Sequence, residues 1–102
     1  MYARLTFIEI DAKNCKEVSR IYNSEIVSAI REFKGLRDVM LLEPTDDSGQ
    51  VISLTTWKAK SDADVYETSG TYRKLVDRMK EFYLSKPVLK TYDVREASVP
   101  VM

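Results

Sequence analysis

The sequence predicts a single α+β domain of ferredoxin-like topology, a β-α-β-β-α-β sandwich with an antiparallel sheet. Three observations predict it. The chain of 102 residues has the length of one domain, because domains usually hold about 50 to 250 residues. Segments rich in β-branched and aromatic residues alternate with segments whose apolar residues recur at the helical period. A cluster of turn residues separates two adjacent strand-like segments, which favours a hairpin.

The chain begins with a strand followed by a helix. Residues Tyr2–Ile10 (YARLTFIEI) are rich in strand-forming types and predict strand one. Asn14 stands three residues before Glu17, the spacing of a capping box, and this predicts the start of the first helix. Gly35 is predicted to end that helix, since the position after a helix favours glycine. The apolar stripe of the helix consists of Val18, Ile21, Tyr22, Ile26, Ala29, Ile30 and Phe33.

The other three strands follow from composition and turn signals. Leu36–Glu43 predicts strand two and Val51–Lys58 predicts strand three. Between them Pro44–Gly49 (PTDDSG) is the clearest turn cluster of the chain, so strands two and three should form an antiparallel hairpin. Val88–Arg95 predicts strand four, at the end of the domain.

A broken helical region connects strands three and four. Ser61 and Asp64 repeat the capping-box spacing and predict a short helix that runs through Tyr66. Ser69-Gly70 is expected to break or kink the chain there, and Lys86-Pro87 to stop the second helix. The apolar residues of the second helix recur at helical spacing: Tyr72, Leu75, Val76, Met79, Phe82 and Tyr83.

Both faces of the predicted sheet are apolar. Ala3, Leu5 and Phe7 of strand one share one face, which we expect the helices to cover. The other face, expected to be open, carries Thr6, Ile8 and some of Val51, Ser53, Thr55 and Trp57. That face is too apolar to stay in water, so we expect a homodimer in which two sheets pack together. The short apolar tail Ala97–Met102 is expected to lie on the partner.

Composition excludes several classes of function. Sixteen Lys and Arg balance sixteen Asp and Glu, without a basic patch for a phosphate backbone, so no nucleic acid partner is expected. No apolar segment predicts a signal peptide or a membrane span, and we expect a cytoplasmic protein without membrane contact. The chain has no histidine and one cysteine, so we expect no metal site and no cofactor.

The segment Ile52–Tyr83 resembles the antibiotic biosynthesis monooxygenase (ABM) domain family. The shared features are a strand ending in Trp57, a short helix carrying Tyr66, a hinge at Ser69 and a helix beginning at Tyr72. The resemblance extends over nearly the whole chain, through the segments 4–7, 20–26 and 33–36. It implies one ABM-like domain over residues 1–102, with 96–102 as a C-terminal tail, and assembly as a dimeric α+β barrel.

The resemblance also implies a ligand cavity between the sheet and the helices. Four residues match positions where the family contacts its substrate, and they are candidate substrate-binding residues: Tyr66, Tyr22, Tyr72 and Arg73. Ala3, Leu5 and Val76 would complete the wall. For the tyrosines, core packing remains an alternative, because they lie on apolar helix stripes. A solvated position remains the alternative for Arg73.

Two functions are compatible with these residues. The first is a cofactor-independent monooxygenase or quinone-forming oxygenase that acts on a small aromatic or phenolic compound. The second is a non-catalytic dimeric domain that binds a small apolar ligand. The haem-degrading branch of the family places Asn, Trp and a ligating His where this chain has Ala3, Tyr66 and Val76, so haem degradation is disfavoured.

Overall fold

The computed structural model of the protein describes residues 1–95, and the predicted tail at 96–102 lies outside the described residues. The strands are β1 (Tyr2–Glu9), β2 (Leu36–Leu42), β3 (Gln50–Trp57) and β4 (Val88–Asp93). The α-helices are α1 (Cys15–Ile21), α2 (Val27–Ile30), α3 (Lys60–Glu67) and α4 (Gly70–Met79). Within the described part of the chain, no helix has the length and apolar character needed to cross a membrane.

The four strands form one antiparallel sheet in the order β2-β3-β1-β4. Strand β1 is central, and its Tyr2 and Ile8 lie opposite Trp57 and Val51 of β3. Strands β1 and β4 pair at the other edge in the same antiparallel sense. This order and the two helical connections are those of a ferredoxin-like α+β fold, which confirms the predicted fold class.

The first helical segment is longer and less regular than a simple α-helix. It begins with a 3-10 turn at Ala12–Asn14, continues through α1, and changes to a π-helical turn at Tyr22–Ile26 before α2. Its N-cap is Asp11, whose carboxylate accepts a hydrogen bond from the Lys13 amide at 3.1 Å. The predicted capping box was wrong, because Asn14 is already helical and its side chain makes no capping bond.

The ends of the helices correct two further predictions. The first helical segment ends at Ile30 rather than at Gly35. Gly35 has a φ of +83° and turns the chain into β2, and a Cβ atom there would collide with the side chain of Asp62. Helix α3 starts at Lys60, with Ala59 as N-cap and no capping side chain, so the cap predicted at Ser61 was also wrong.

The predicted break between the last two helices is confirmed. Ser69 is the N-cap of α4, and its hydroxyl accepts a hydrogen bond from the Tyr72 amide at 3.1 Å. The same hydroxyl donates to the Tyr66 carbonyl at 2.6 Å. One serine thus closes α3 and opens α4, which fixes the relative direction of the two helices.

The two faces of the sheet are the reverse of the prediction. Thr6 and Ile8 face the helices and share a cavity wall with them. Because side chains alternate along a strand, Ala3, Leu5 and Phe7 point to the outer face. The core on the inner face is built from Ile10, Val18, Ile21, Tyr22, Ile26, Ile30, Val51, Trp57, Ala63, Tyr66 and Met79.

The outer face of the sheet is largely apolar, and no helix within residues 1–95 covers it. Residues directly opposite one another in a register share a face, and the pairs Leu5–Leu54, Phe7–Ile52 and Phe7–Val88 all lie here. Several of its side chains are well exposed: Met40 41%, Leu42 39%, Val88 53% and Tyr92 49%. An apolar open face was predicted, and the structure has one, made of different residues.

A candidate ligand cavity under the helices

A cavity of about 260 Å³ lies between the inner face of the sheet and the helices. Strands β1, β2 and β3 form its floor, and the π-helical turn and α4 form its sides. Most of its wall is apolar or aromatic, with a few hydroxyl groups, which is the usual composition of a small-molecule site. It is lined by Thr6, Ile8, Ile10, Val18, Tyr22, Ile26, Leu41, Ser53, Tyr66, Tyr72, Leu75, Val76, Met79, Phe82, Tyr83, Lys86 and Pro87.

The π-helical turn supplies one side of the cavity. It starts at Tyr22 and ends at Ile26, and both side chains reach the wall. The Tyr22 hydroxyl lies 2.8 Å from Ser53 Oγ and donates to the Met40 carbonyl at 3.3 Å. Burial raises the pKa of Tyr22, and the bond with Ser53 opposes that rise only in part. The Tyr22 hydroxyl is therefore neutral, and its contacts with Met40 of β2 and Ser53 of β3 fix its position.

Tyr66 lies at the centre of an aromatic cluster. Its ring stacks on Trp57 with centroids 5.4 Å apart, and it meets Phe33 and Tyr72 edge to face at 5.1 Å each. Within residues 1–95 its hydroxyl has no hydrogen-bond partner, while no fully buried side-chain N or O atom there lacks one. The hydroxyl is therefore accessible from the cavity that Tyr66 lines. Burial raises its pKa, although the charge of Arg4 opposes the rise.

Arg4 is a site residue that the sequence interpretation missed. It is 5% exposed, and its guanidinium carbon lies 5.3 Å from the ring centre of Tyr72 and 5.8 Å from that of Tyr66. Its Nη2 donates to Glu67 Oε1 at 3.3 Å. Side-chain alternation along β1 puts Arg4 on the same face as Thr6 and Ile8. Had that face been predicted as the one the helices cover, Arg4 would have been identified as a site residue.

A second, smaller space continues the cavity toward Arg4. Its volume is about 40 Å³, and it shares with the main cavity the walls formed by Thr6, Tyr22 and Ser53, among others. Thr55 adds a hydroxyl, which accepts a hydrogen bond from the Trp57 indole at 2.9 Å. Polar and apolar surface contribute about equally to this inner end, whereas the body of the cavity is mainly apolar.

The structure brings together three of the four predicted substrate-binding residues. Tyr22, Tyr66 and Tyr72 all line the cavity, as does Val76. Arg73 does not, since its side chain is exposed on the outer surface of α4. Ala3 and Leu5, expected in the wall, lie on the outer face of the sheet. They cannot touch a ligand held under the helices.

An ion pair ties the two helical sides of the cavity together. Arg78 of α4 donates from Nε and Nη2 to the two carboxylate oxygens of Glu25 in the π-helical turn, both at 3.0 Å. This two-point geometry favours a defined spacing between the helices. The bond with Arg78 also lowers the pKa of Glu25.

The cavity offers hydroxyl groups, the ammonium of Lys86 and, at its inner end, the guanidinium of Arg4, but no imidazole. Within residues 1–95, no group of three or more His, Cys, Asp or Glu side chains is arranged to hold a metal ion. The chain contains no histidine, so the side chains around the cavity do not match the usual proximal ligand of a haem iron.

The fold is that of several solved structures. A proposed antibiotic biosynthesis monooxygenase from Deinococcus radiodurans superposes with a TM-score of 0.81 at 15% identity, covering 100% of this chain and 99% of that one. A monooxygenase from the gene ActVA-Orf6 of Streptomyces coelicolor, in complex with nanaomycin D, gives 0.84 at 13% identity, covering 98% and 92%. A mutant of MhuD with two manganese protoporphyrin IX per active site gives 0.78 at 15%, covering 100% and 99%.

These likenesses establish a shared fold with the antibiotic biosynthesis monooxygenases. No protein-family model and no curated protein sequence matches the chain. At identities of 10 to 16%, the likeness concerns the fold and assigns no role to the residues of the cavity.

Proposed function

We propose that this protein is a homodimeric, cofactor-independent monooxygenase, an oxidoreductase that converts a small phenolic compound to a quinone. The observation that carries the proposal is the apolar cavity on which Tyr22, Tyr66 and Tyr72 converge, in a fold shared with proteins named as antibiotic biosynthesis monooxygenases. The neighbour that holds nanaomycin D supports a small aromatic ligand. Cytoplasmic location belongs to the same proposal.

The chemistry of such a reaction needs no external reductant. A phenol with a free para position takes up one O₂, one oxygen atom becomes the new quinone carbonyl, and the other leaves as water. The electrons come from the ring of the substrate. The protein has to hold the aromatic ring, favour its ionised form and exclude water. Aromatic walls and hydroxyls in an apolar cavity are suited to these tasks.

Tyr66 has the role of hydrogen-bond donor in this proposal, because the single O–H of Tyr22 already donates to the Met40 carbonyl. Burial raises the pKa of both hydroxyls, so both are protonated at neutral pH. A protonated hydroxyl donates to a phenolate oxygen and stabilises it, whereas a tyrosinate would act as a base. We therefore assign no tyrosine of the cavity as the general base.

The outer face of the sheet supports the homodimer. Its apolar side chains come from all four strands, with Lys90 of β4 among them beside the Phe7 ring, and a monomer would leave this surface in water. A second copy of the same chain presents the same surface. Face-to-face packing of the two sheets would bury both surfaces and form the dimeric α+β barrel.

A non-catalytic ligand-binding domain is the second candidate. The observation that favours it is the absence, among the cavity-lining residues, of Asp, Glu or His that could take a proton from the ligand. Such a domain would bind the same aromatic compounds without oxygen consumption. We propose no haem chemistry, because the cavity residues do not fit a haem iron.

Oxygen uptake distinguishes the two candidates. The purified protein is mixed with a panel of naphthols and hydroquinones in an oxygen electrode, with and without a chelator, while ligand binding is measured by calorimetry on the same panel. Oxygen uptake that persists with chelator and yields a quinone supports the monooxygenase. Binding without uptake across the panel supports the binding domain.

A further inference from the structure

We propose that the inner end of the cavity is an anion subsite, in which Arg4 selects aromatic ligands that carry a carboxylate at one end. The inference rests on the proposed function for the aromatic body of the ligand. To that function the inference adds a carboxylate on the ligand and Arg4 as the residue that recognises this carboxylate.

The first argument is the burial of the Arg4 charge. Arg4 is 5% exposed, and a buried guanidinium needs a counter-charge and partners for its N–H donors. The described residues accept one hydrogen bond from it, at Glu67. No fully buried side-chain nitrogen among them lacks a partner. The remaining donors are therefore accessible, and Arg4 is one of the residues that line the small space at the end of the cavity.

The second argument is the weakness of the existing counter-ion. Glu67 is 44% exposed, and it meets Arg4 through a single contact of 3.3 Å. A carboxylate in that position is screened by water and compensates a buried cation poorly. A ligand carboxylate inside the cavity would be less hydrated and could accept two parallel hydrogen bonds, the geometry that guanidinium favours.

The third argument is the shape and polarity of the cavity. Its body of about 260 Å³ is largely apolar. The adjoining space of about 40 Å³ is bordered by Arg4, Thr55 and Ile30, which do not line the body, and shares Thr6 and Ser53 with it. The adjoining space is much smaller than the body, so a carboxylate would occupy it while the aromatic ring stays in the body. The rings of Tyr66 and Tyr72 against the guanidinium hold Arg4 in place.

The test compares two ligands of the same shape. 2-Naphthoate and 2-naphthamide differ in charge, and at pH 7.5 the naphthoate is ionised. We expect the protein to bind the naphthoate about ten- to a hundred-fold more tightly by calorimetry, the range of a charge-assisted hydrogen bond. Arg4→Gln should reduce this preference to less than about threefold. Arg31→Gln, which removes an exposed charge that lines neither the cavity nor the small space, should leave it unchanged.

Glu67→Gln provides an independent variant if Arg4→Gln does not fold. Glu67 is partly exposed at the end of α3, so its neutralisation spares the core. Because the competing negative charge is lost, the naphthoate should bind several-fold more tightly while the affinity for the naphthamide stays the same. Weaker naphthoate binding in this variant would contradict the subsite.

The outcomes separate this inference from the proposed function. Equal affinity for the two ligands overturns the anion subsite and leaves an aromatic site in place. Failure of both to bind overturns the subsite and the aromatic site together. Selective naphthoate binding, without oxygen uptake on any phenol, supports the subsite and overturns the monooxygenase.

Discussion

The indole of Trp57 stacks on the ring of Tyr66, with centroids 5.4 Å apart and an angle of 27° between the planes. Trp57 is fully buried at the end of β3, and it links the sheet to the helix that carries Tyr66. The Tyr66 ring therefore belongs to the core, while its hydroxyl is left for the cavity. The packing of the ring and the contribution of the hydroxyl can therefore be tested separately.

We expect Tyr66→Phe to leave stability nearly unchanged and to weaken phenol binding or turnover several-fold. The ring contacts are retained, and the lost hydroxyl has no partner among the described residues. A lost hydrogen bond to a neutral ligand is worth about 0.5 to 1.5 kcal/mol. Thermal unfolding and calorimetry with 2-naphthol measure the two effects. In contrast, Tyr66→Ala should cost about 3 to 5 kcal/mol of stability. If Tyr66→Phe lowers stability and spares affinity, the hydroxyl is not part of the site.

Stability should fall as the pH rises above about 10. Burial raises the pKa of Tyr22, Tyr66 and Tyr83 in the folded protein. The unfolded chain then loses these protons at a lower pH than the folded one, and binds fewer protons between the two pKa values. The stabilisation is complete below the unfolded pKa and is lost as the pH rises through this range. Urea unfolding at pH 8 and pH 11 should show a smaller loss for Tyr66→Phe than for the wild type, and equal losses would contradict this explanation.

Haem should not bind tightly at one-to-one stoichiometry. The chain supplies no histidine, and the cavity position predicted to match the ligating residue is Val76, which is apolar. Titration of hemin should give no sharp change of the Soret band, and a reductant should cause no loss of haem beyond that seen with hemin alone. Stoichiometric binding with opening of the ring would place the protein with the haem-degrading proteins.

The fold could be predicted because its signals are local. Strand composition, the turn at residues 44–49 and the break at Ser69 each depend on a few neighbouring residues, and the structure agrees with all three. Helix starts were less predictable. Asp11, Asn14 and Ser61 are all acceptable capping residues, and only Asp11 forms a side-chain cap.

The site was harder to predict, because alternation separates the two faces of a strand without saying which one is covered. Both faces of β1 are largely apolar, and its two charged residues, Arg4 and the terminal Glu9, would ordinarily point to water. Arg4 is buried because Tyr66, Tyr72 and Glu67, all more than sixty residues away in the chain, surround it. The π-helical turn at Tyr22–Ile26 has no sequence signal of comparable strength, yet it supplies one side of the cavity.

The outer face of the sheet leads to a prediction about assembly. We expect the protein to sediment as a dimer at low micromolar concentration, because two copies can cover each other's exposed Met40, Leu42, Val88 and Tyr92. Met40→Glu would place a charge in the dimer interface and should shift the equilibrium toward the monomer. The matched control is Val65→Glu, since Val65 is 64% exposed on α3 and should tolerate the same change in a dimer.

The thermal stability of the protein should depend on the same monomer–dimer equilibrium. If the partner covers the outer face, unfolding of the wild type will depend on protein concentration, since binding to the folded state stabilises it by mass action. Met40→Glu should lose that dependence together with the dimer, while Val65→Glu keeps both. Sedimentation velocity and thermal unfolding over a hundredfold range of concentration measure the two properties. A wild-type protein that sediments as a folded monomer, with a concentration-independent Tm, would show that the outer face is stable in water and would remove the basis for a face-to-face barrel.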